Sequence, residues 1–232
     1  MKFILTFLLF CSNIYADAVV YKIKGNADFL NDKKEKIVVK EGDSIGKNYE
    51  VATQKNSEIE LIIEDIGLVV VYENSKFVIS DQNSPNSLSF WDKLLGVKNL
   101  YAEEEKSFTD YLYGKATFFI KKLGSKKYSV RTPTAVCGVR GTAFSIISDD
   151  KASEIGLFKG VVEVGKGEEF KTLNPGQTAY VSRTEIKINE RLSKIMEKEK
   201  KRAEKLEKYF DSVRKKIDER NKKISEKLSK KT

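Results

Sequence analysis

Apolar and polar residues alternate in short runs along most of this chain. Leu61 to Ile63, Leu68 to Tyr72 and Phe77 to Ile79 are the clearest runs, separated by Glu64-Asp65-Ile66-Gly67 and Glu73-Asn74-Ser75. A period of two, broken every few residues by glycine, asparagine or aspartate, predicts strands joined by tight turns. A motif of apolar, x, Gly, x, apolar, x, apolar occurs at Ile23/Gly25/Ala27/Phe29, Leu112/Gly114/Ala116/Phe118 and Phe158/Gly160/Val162/Val164, each read as one bent strand. A second element, apolar-x-x-Gly, occurs at Val39-Lys40-Glu41-Gly42 and Leu173-Asn174-Pro175-Gly176, each a turn feeding the next strand. The fold class expected is mainly β, a solenoid-like or rolled β-domain followed by one long C-terminal α-helix, with a two-sheet sandwich as the alternative.

The period changes at both ends and once in the middle. Residues 1–16 begin with Lys2, run apolar from Phe3 to Phe10 and exit through Ser12-Asn13 to Ala16, the pattern of a secretory signal peptide cleaved after Ala16. The apolar run is shorter than the roughly 20 residues that span a bilayer, and no later segment is a transmembrane candidate. Residues 81–107 combine a Ser/Asn/Pro loop with Phe90, Trp91, Leu94, Leu95 and Val97 at helical spacing, read as an insertion with a short helix. It is either a lid on the domain's own sheet or, through Trp91, a partner contact.

From residue 186 to 230 there is neither glycine nor proline, and Lys, Glu, Arg and Leu dominate, which predicts a long helix. Met196, Ala203, Phe210, Ile217 and Ile224 fall at one heptad core position, with Leu206 and Val213 at the other, and Glu199 interrupts the second set. A partial coiled-coil seam of this kind supports a homo-oligomer, packs on another protein, or is simply a solvated helix. Charge sets the same boundary. Residues 185–232 hold 18 Lys+Arg against 10 Asp+Glu, whereas residues 17–184 are balanced at 24 against 24. The organisation expected is a signal peptide (1–16), a β-domain (17–184) and a basic helical tail (185–232).

Candidate chemistry is sparse. The chain contains no histidine, so histidine-based nucleophilic triads and histidine-containing zinc sites are excluded, and no carboxylate pair or phosphate-binding glycine loop stands out. A non-enzyme without cofactor or metal is expected. Beyond the signal segment Cys137 is the only cysteine, which leaves no internal disulfide and suits a small buried hydrophobe. The stretch Val130 to Ile147, VRTPTAVCGVRGTAFSII, places Pro133 at a strand start and sets Arg140 among small and apolar neighbours beside Gly141. Arg140 either ties loop carbonyls or a carboxylate together, or contacts a partner. Thr142 is read as a backbone-bonding strand residue, and as a partner contact if the signature is a recognition site.

That stretch resembles the signature of the FecR-type envelope domain. The resemblance runs from Val19 to Ser182 through Gly25, Glu41-Gly42-Asp43, Gly46, Val51-Ala52-Thr53, Ser57, Leu61 to Ile63, Gly114, Gly160 to Val164 and Leu173 to Gln177. It implies a β-rich, solenoid-like module of the bacterial envelope. The namesake proteins are inner-membrane regulators that relay iron-siderophore transport to a cytoplasmic sigma factor. This sequence departs from them in having a cleavable signal and no later membrane helix, so only the domain is carried over. The function expected is an exported, periplasmic or secreted binding or scaffold protein that contacts an envelope protein or an anionic envelope polymer, with nucleic acid disfavoured by export. The alternative is a soluble periplasmic component that modulates an iron-transport-type signalling system.

Overall fold

The computed structural model describes residues 18–63, 67–80, 108–121 and 128–209. The expected signal peptide, the insertion with Trp91, and the seam positions Phe210, Val213, Ile217 and Ile224 lie outside the described residues.

Among the described residues, fifteen strands form the β-domain. In the first half they are β1 (Ala18–Lys24), β2 (Ala27–Leu30), β3 (Lys36–Ile37), β4 (Ser44–Ile45), β5 (Glu50–Thr53), β6 (Glu58–Ile63), β7 (Gly67–Val71) and β8 (Lys76–Val78). The second half contributes β9 (Phe108–Ile120), β10 (Tyr128–Arg131), β11 (Val136–Ser148), β12 (Ala152–Lys166), β13 (Glu169–Leu173), β14 (Thr178–Ser182) and β15 (Ile186–Asn189). One helix, α1, follows over residues 194–209. The mainly β class and the C-terminal helix agree with the sequence reading.

The solenoid-like arrangement is not what the pairing shows. All fifteen strands join one sheet in the order β15-β14-β12-β11-β10-β9-β7-β6-β1-β4, with β13 added on β12 and β2, β3, β5 and β8 branching from β9. The sheet is not closed, and every ladder is antiparallel except β9 with β10. The pairs β2–β3, β6–β7, β10–β11, β11–β12, β12–β13 and β14–β15 fold back as hairpins because turns of a few residues connect them, a geometry available only to antiparallel pairs.

Glycines bend the sheet where the repeated motif places them. Gly25, Gly114 and Gly160 have φ of 77°, 97° and 89°, values that L side chains rarely adopt. Gly25 separates β1 from β2, while β9 and β12 run through their glycines and change partners there. Before Gly114, β9 pairs with β8 at Tyr111–Tyr113, and after it with β7 at Ala116–Ile120. In β12, residues 152–156 pair with β14 and residues 162–166 with β13. Two of the bends are seated identically. The amide after the glycine donates to a serine hydroxyl, Asn26 N to Ser57 Oγ and Lys115 N to Ser75 Oγ, each at 2.8 Å. Each serine follows an asparagine with positive φ, Asn56 (57°) or Asn74 (55°).

The second repeated element is duplicated as closely. Asp43 N donates to Lys40 O and Gln177 N to Asn174 O, each at 3.1 Å, closing turns with Gly42 (φ 91°) and Gly176 (φ 89°) in the third position. The Gly42 amide then bonds Val20 O on β1, and the Gly176 amide bonds Leu157 O on β12. Inward-facing residues of both halves meet in one core that includes Phe29, Val51, Phe77, Phe118, Phe144, Ile155 and Ala179.

Candidate interaction surface

The signature stretch builds the end of β10, a tight turn and β11. Pro133 sits in that turn, between Arg131 and Val136, and not at the first residue of a strand. Thr132 N donates to Ala135 O and Ala135 N to Thr132 Oγ1, both at 2.9 Å, so the threonine closes the turn from both sides. Ser153 Oγ lies 2.7 Å from Thr132 Oγ1, 2.7 Å from Thr134 Oγ1 and 2.8 Å from Ser148 Oγ, all within a buried hydroxyl cluster. Thr134 and Thr132 are thus structural. Ser153 as the hub carried no sequence signal, because its three partners come from two other segments.

Cys137 is fully buried, and burial pushes its thiol up to about 12, which leaves it protonated and unreactive at neutral pH. Thr142 is also buried, and its hydroxyl has no hydrogen-bond partner among the described residues. It packs against the bend at Gly160, where an added Cβ would lie 2.8 Å from the Thr142 methyl. That burial takes Thr142 off the surface where a partner would meet it. Arg140 is the opposite case. It is exposed and makes no hydrogen bond or ion pair among the described residues. The register sets it across from Val161, itself 47% exposed, next to the bulge at Gly141 (φ 63°).

A second surface is formed by α1. Seven strands place Thr178, Gly156, Ser145, Thr117, Val70, Glu60 and Lys22 in one register row. The first five are small or β-branched and form a trough across the sheet's outer face. Six strand spacings are about 29 Å, and the sixteen described helical residues are about 24 Å long, so the helix nearly crosses the row. Ser193 caps its start, its Oγ accepting from Met196 N at 3.1 Å, and its own amide donates to Thr178 Oγ1 at 3.0 Å. At the far end Tyr209 OH lies 3.4 Å from Tyr21 OH on β1.

Between these points the helix is held by three seam residues and several charges. Met196 and Ala203 are buried, and Leu206 packs on Leu68, Val70 and Tyr72. Lys115 Nζ is 2.5 Å from Glu199 Oε1, and Arg202 pairs with Glu58. The Arg202 guanidinium and the Lys115 ammonium also lie 4.1 and 4.6 Å from the Tyr72 ring centre. Burial pushes the Tyr72 phenol up to about 12, and its OH donates to Thr117 Oγ1 at 3.1 Å. The helix explains why Leu68 to Tyr72 is apolar on both faces: Val69 and Val71 point into the core, and Leu68, Val70 and Tyr72 point under α1. The described part of the seam is therefore spent on the chain's own sheet.

Among the described residues no cluster of three or more His, Cys, Asp or Glu side chains is placed to hold a metal, and no helix is long and apolar enough to cross a membrane. The arrangement offers recognition surfaces: an exposed arginine without a partner among the described residues, beside an exposed valine at one bulge, and a charged helix strapped across the sheet.

Residues 49–163 match the family model of the FecR protein. The match runs from the start of β5 to near the end of β12, so it includes the whole signature and two of the bends, Gly114 and Gly160. It is narrower than the resemblance from Val19 to Ser182 and omits both copies of the apolar-x-x-Gly turn. No curated protein matches the chain in sequence. Two crystal structures of a candidate anti-sigma factor from Parabacteroides distasonis ATCC 8503, at 2.50 and 1.65 Å resolution, are similar to it at 18% identity and a TM-score of 0.46. Each alignment covers 61% of this chain and 59% of that protein, so this chain spans less than two thirds of its length.

Proposed function

Residues 49–163 are a FecR-family domain, and on that premise we propose that the chain is an exported, non-catalytic module that modulates a cell-envelope signalling system through protein contacts. The observation that carries this reading is the family match itself, which spans the signature and the bulge that presents Arg140. An exposed guanidinium that bonds to none of the described residues suits a carboxylate or a row of carbonyls on a partner, and the exposed Val161 beside it supplies apolar contact. Absence of histidine and of any metal-holding cluster among the described residues supports the non-catalytic part.

The test is genetic and biophysical together. Deletion of the gene alters sigma-dependent transcription, and Arg140→Ala reproduces that change while its thermal midpoint stays within a degree or two of the parent, because an exposed side chain without bonds contributes little stability. Normal transcription in both strains overturns the signalling reading. The second reading, a scaffold assembled on an envelope protein or polymer, is favoured if deletion weakens envelope integrity or complex assembly without a transcriptional change.

A further inference from the structure

The side of α1 that faces away from the sheet carries Lys194, Lys198, Lys201, Lys205 and Lys208, at spacings of 4, 3, 4 and 3 residues. With 3.6 residues per turn these five lie within an arc of about 80°, centred opposite Met196 and Ala203. All five are exposed, and none makes a hydrogen bond or ion pair among the described residues. The acids that neutralise other cations here are engaged elsewhere: Glu199 with Lys115, Glu58 with Arg202, and Glu207 with Lys159. Glu197 and Glu204 stand together on one flank of the row and leave its crest purely basic.

The geometry points to a docking surface for an anionic lipid bilayer, and we propose that the lysine row of α1 lays the β-domain against such a membrane. Because Met196, Ala203, Leu206 and the two inward ion pairs fix the helix's rotation, the row is held as a straight ridge about 21 Å long that stands above the sheet. A flat array of phosphate headgroups meets all five ammonium groups at once. Each lysine adds independently to attraction by a negative surface, and the attraction falls off within a Debye length. This goes beyond the signalling reading, which needs a protein partner and no particular lipid.

The test is co-sedimentation of the full chain with vesicles of phosphatidylcholine alone and of phosphatidylcholine with 30–40% phosphatidylglycerol, in low and high salt. The parent is compared with the triple variant K198Q/K201Q/K205Q. The apolar leading segment and the basic residues beyond 209 are common to both proteins, so the difference between them isolates the row. The expected result is preference for the anionic vesicles, lost in high salt, with partitioning of the triple variant lowered on the order of 100-fold. The variant should melt with the parent, since these lysines make no contacts to lose, and a matched melting curve assigns the loss to binding. Equal partitioning of parent and variant, or equal binding to both vesicle types, overturns the proposal. Retention of the parent on polyphosphate or heparin without vesicle binding also overturns it, in favour of a soluble polyanion.

Discussion

Met196 occupies the space that a side chain on Gly156 would need. A Cβ built on Gly156 would stand 2.6 Å from Met196 Cγ and 2.8 Å from Met196 Cβ, so the first turn of α1 rests directly on the backbone of β12. Gly156→Val should lift that turn and cost about 1–3 kcal/mol by overpacking. Met196→Ala should cost about 2–4 kcal/mol through the cavity it leaves. Both should make the lysines of residues 194–208 better trypsin sites than in the parent, measured by limited proteolysis with mass spectrometry. Unchanged cleavage would mean that the helix does not depend on this socket.

A second prediction concerns the charges beneath the helix. Glu199 has a side chain only 8% exposed, and its Oε2 lacks a hydrogen-bond partner, so Lys115 supplies its neutralisation. Lys115→Met leaves a buried, uncompensated carboxylate and should destabilise by about 3 kcal/mol, whereas the double variant Lys115→Met/Glu199→Leu should recover most of that loss. A double-mutant cycle from urea melts checks it, and an additive pair of losses would contradict it.

The third prediction separates two costs at glycines with nearly equal φ. At Gly42 (φ 91°) an added Cβ meets nothing within 4 Å, so Gly42→Ala bears only the backbone penalty, about 1–2 kcal/mol. At Gly114 (φ 97°) the Cβ would stand 2.6 Å from Ser75 Cα, and backbone cannot move aside. Gly114→Ala should therefore cost several kcal/mol more, or fail to give folded protein, and similar melting points for the two variants would refute the seating described here.

Glu60 gives a pH dependence. Burial raises its pKa above the usual carboxylate value; Lys22, 3.8 Å away, pulls it down by less, while Glu58 and Glu41 push it up further. A raised folded-state pKa means that the folded form binds the proton more tightly than the unfolded chain. The penalty is thus absent below the unfolded value, near 4.5, grows as pH rises through the folded value and is complete above it. Glu60→Gln should raise the thermal midpoint at pH 8 relative to the parent, and the advantage should shrink towards pH 4. An advantage that is constant with pH would show that ionisation is not its source.

How much of this was legible follows from what each residue contacts. The bends at Gly25, Gly114 and Gly160 and the turns at Gly42 and Gly176 were readable, because a positive φ leaves its mark on the residue that adopts it. The buried, inert Cys137 was readable from alternation alone. The pairing order was not, since period-two patterning fixes which face a residue takes but not which strand lies beside it. At the seam, Met196, Ala203 and Leu206 read as a coiled-coil stripe, with Glu199 as a flaw in it. The flaw was the informative residue: Glu199 meets Lys115 on β9, a partner 84 positions away that a heptad register cannot reveal. For Arg140 the sequence leaves a structural tie and a partner contact both open, and the structure adds that it is exposed and bonds to none of the described residues.

The long strands β9, β11 and β12 each exchange one partner for another along their length: β9 from β8 to β7, β11 from β10 to β9, and β12 from β14 to β13. Opening the ladders on one side of a bend therefore pulls on strands that remain paired on the other side. The β-domain should accordingly lose its structure in one step, with amides on both sides of Gly114 and Gly160 exchanging with deuterium at the rate of global unfolding.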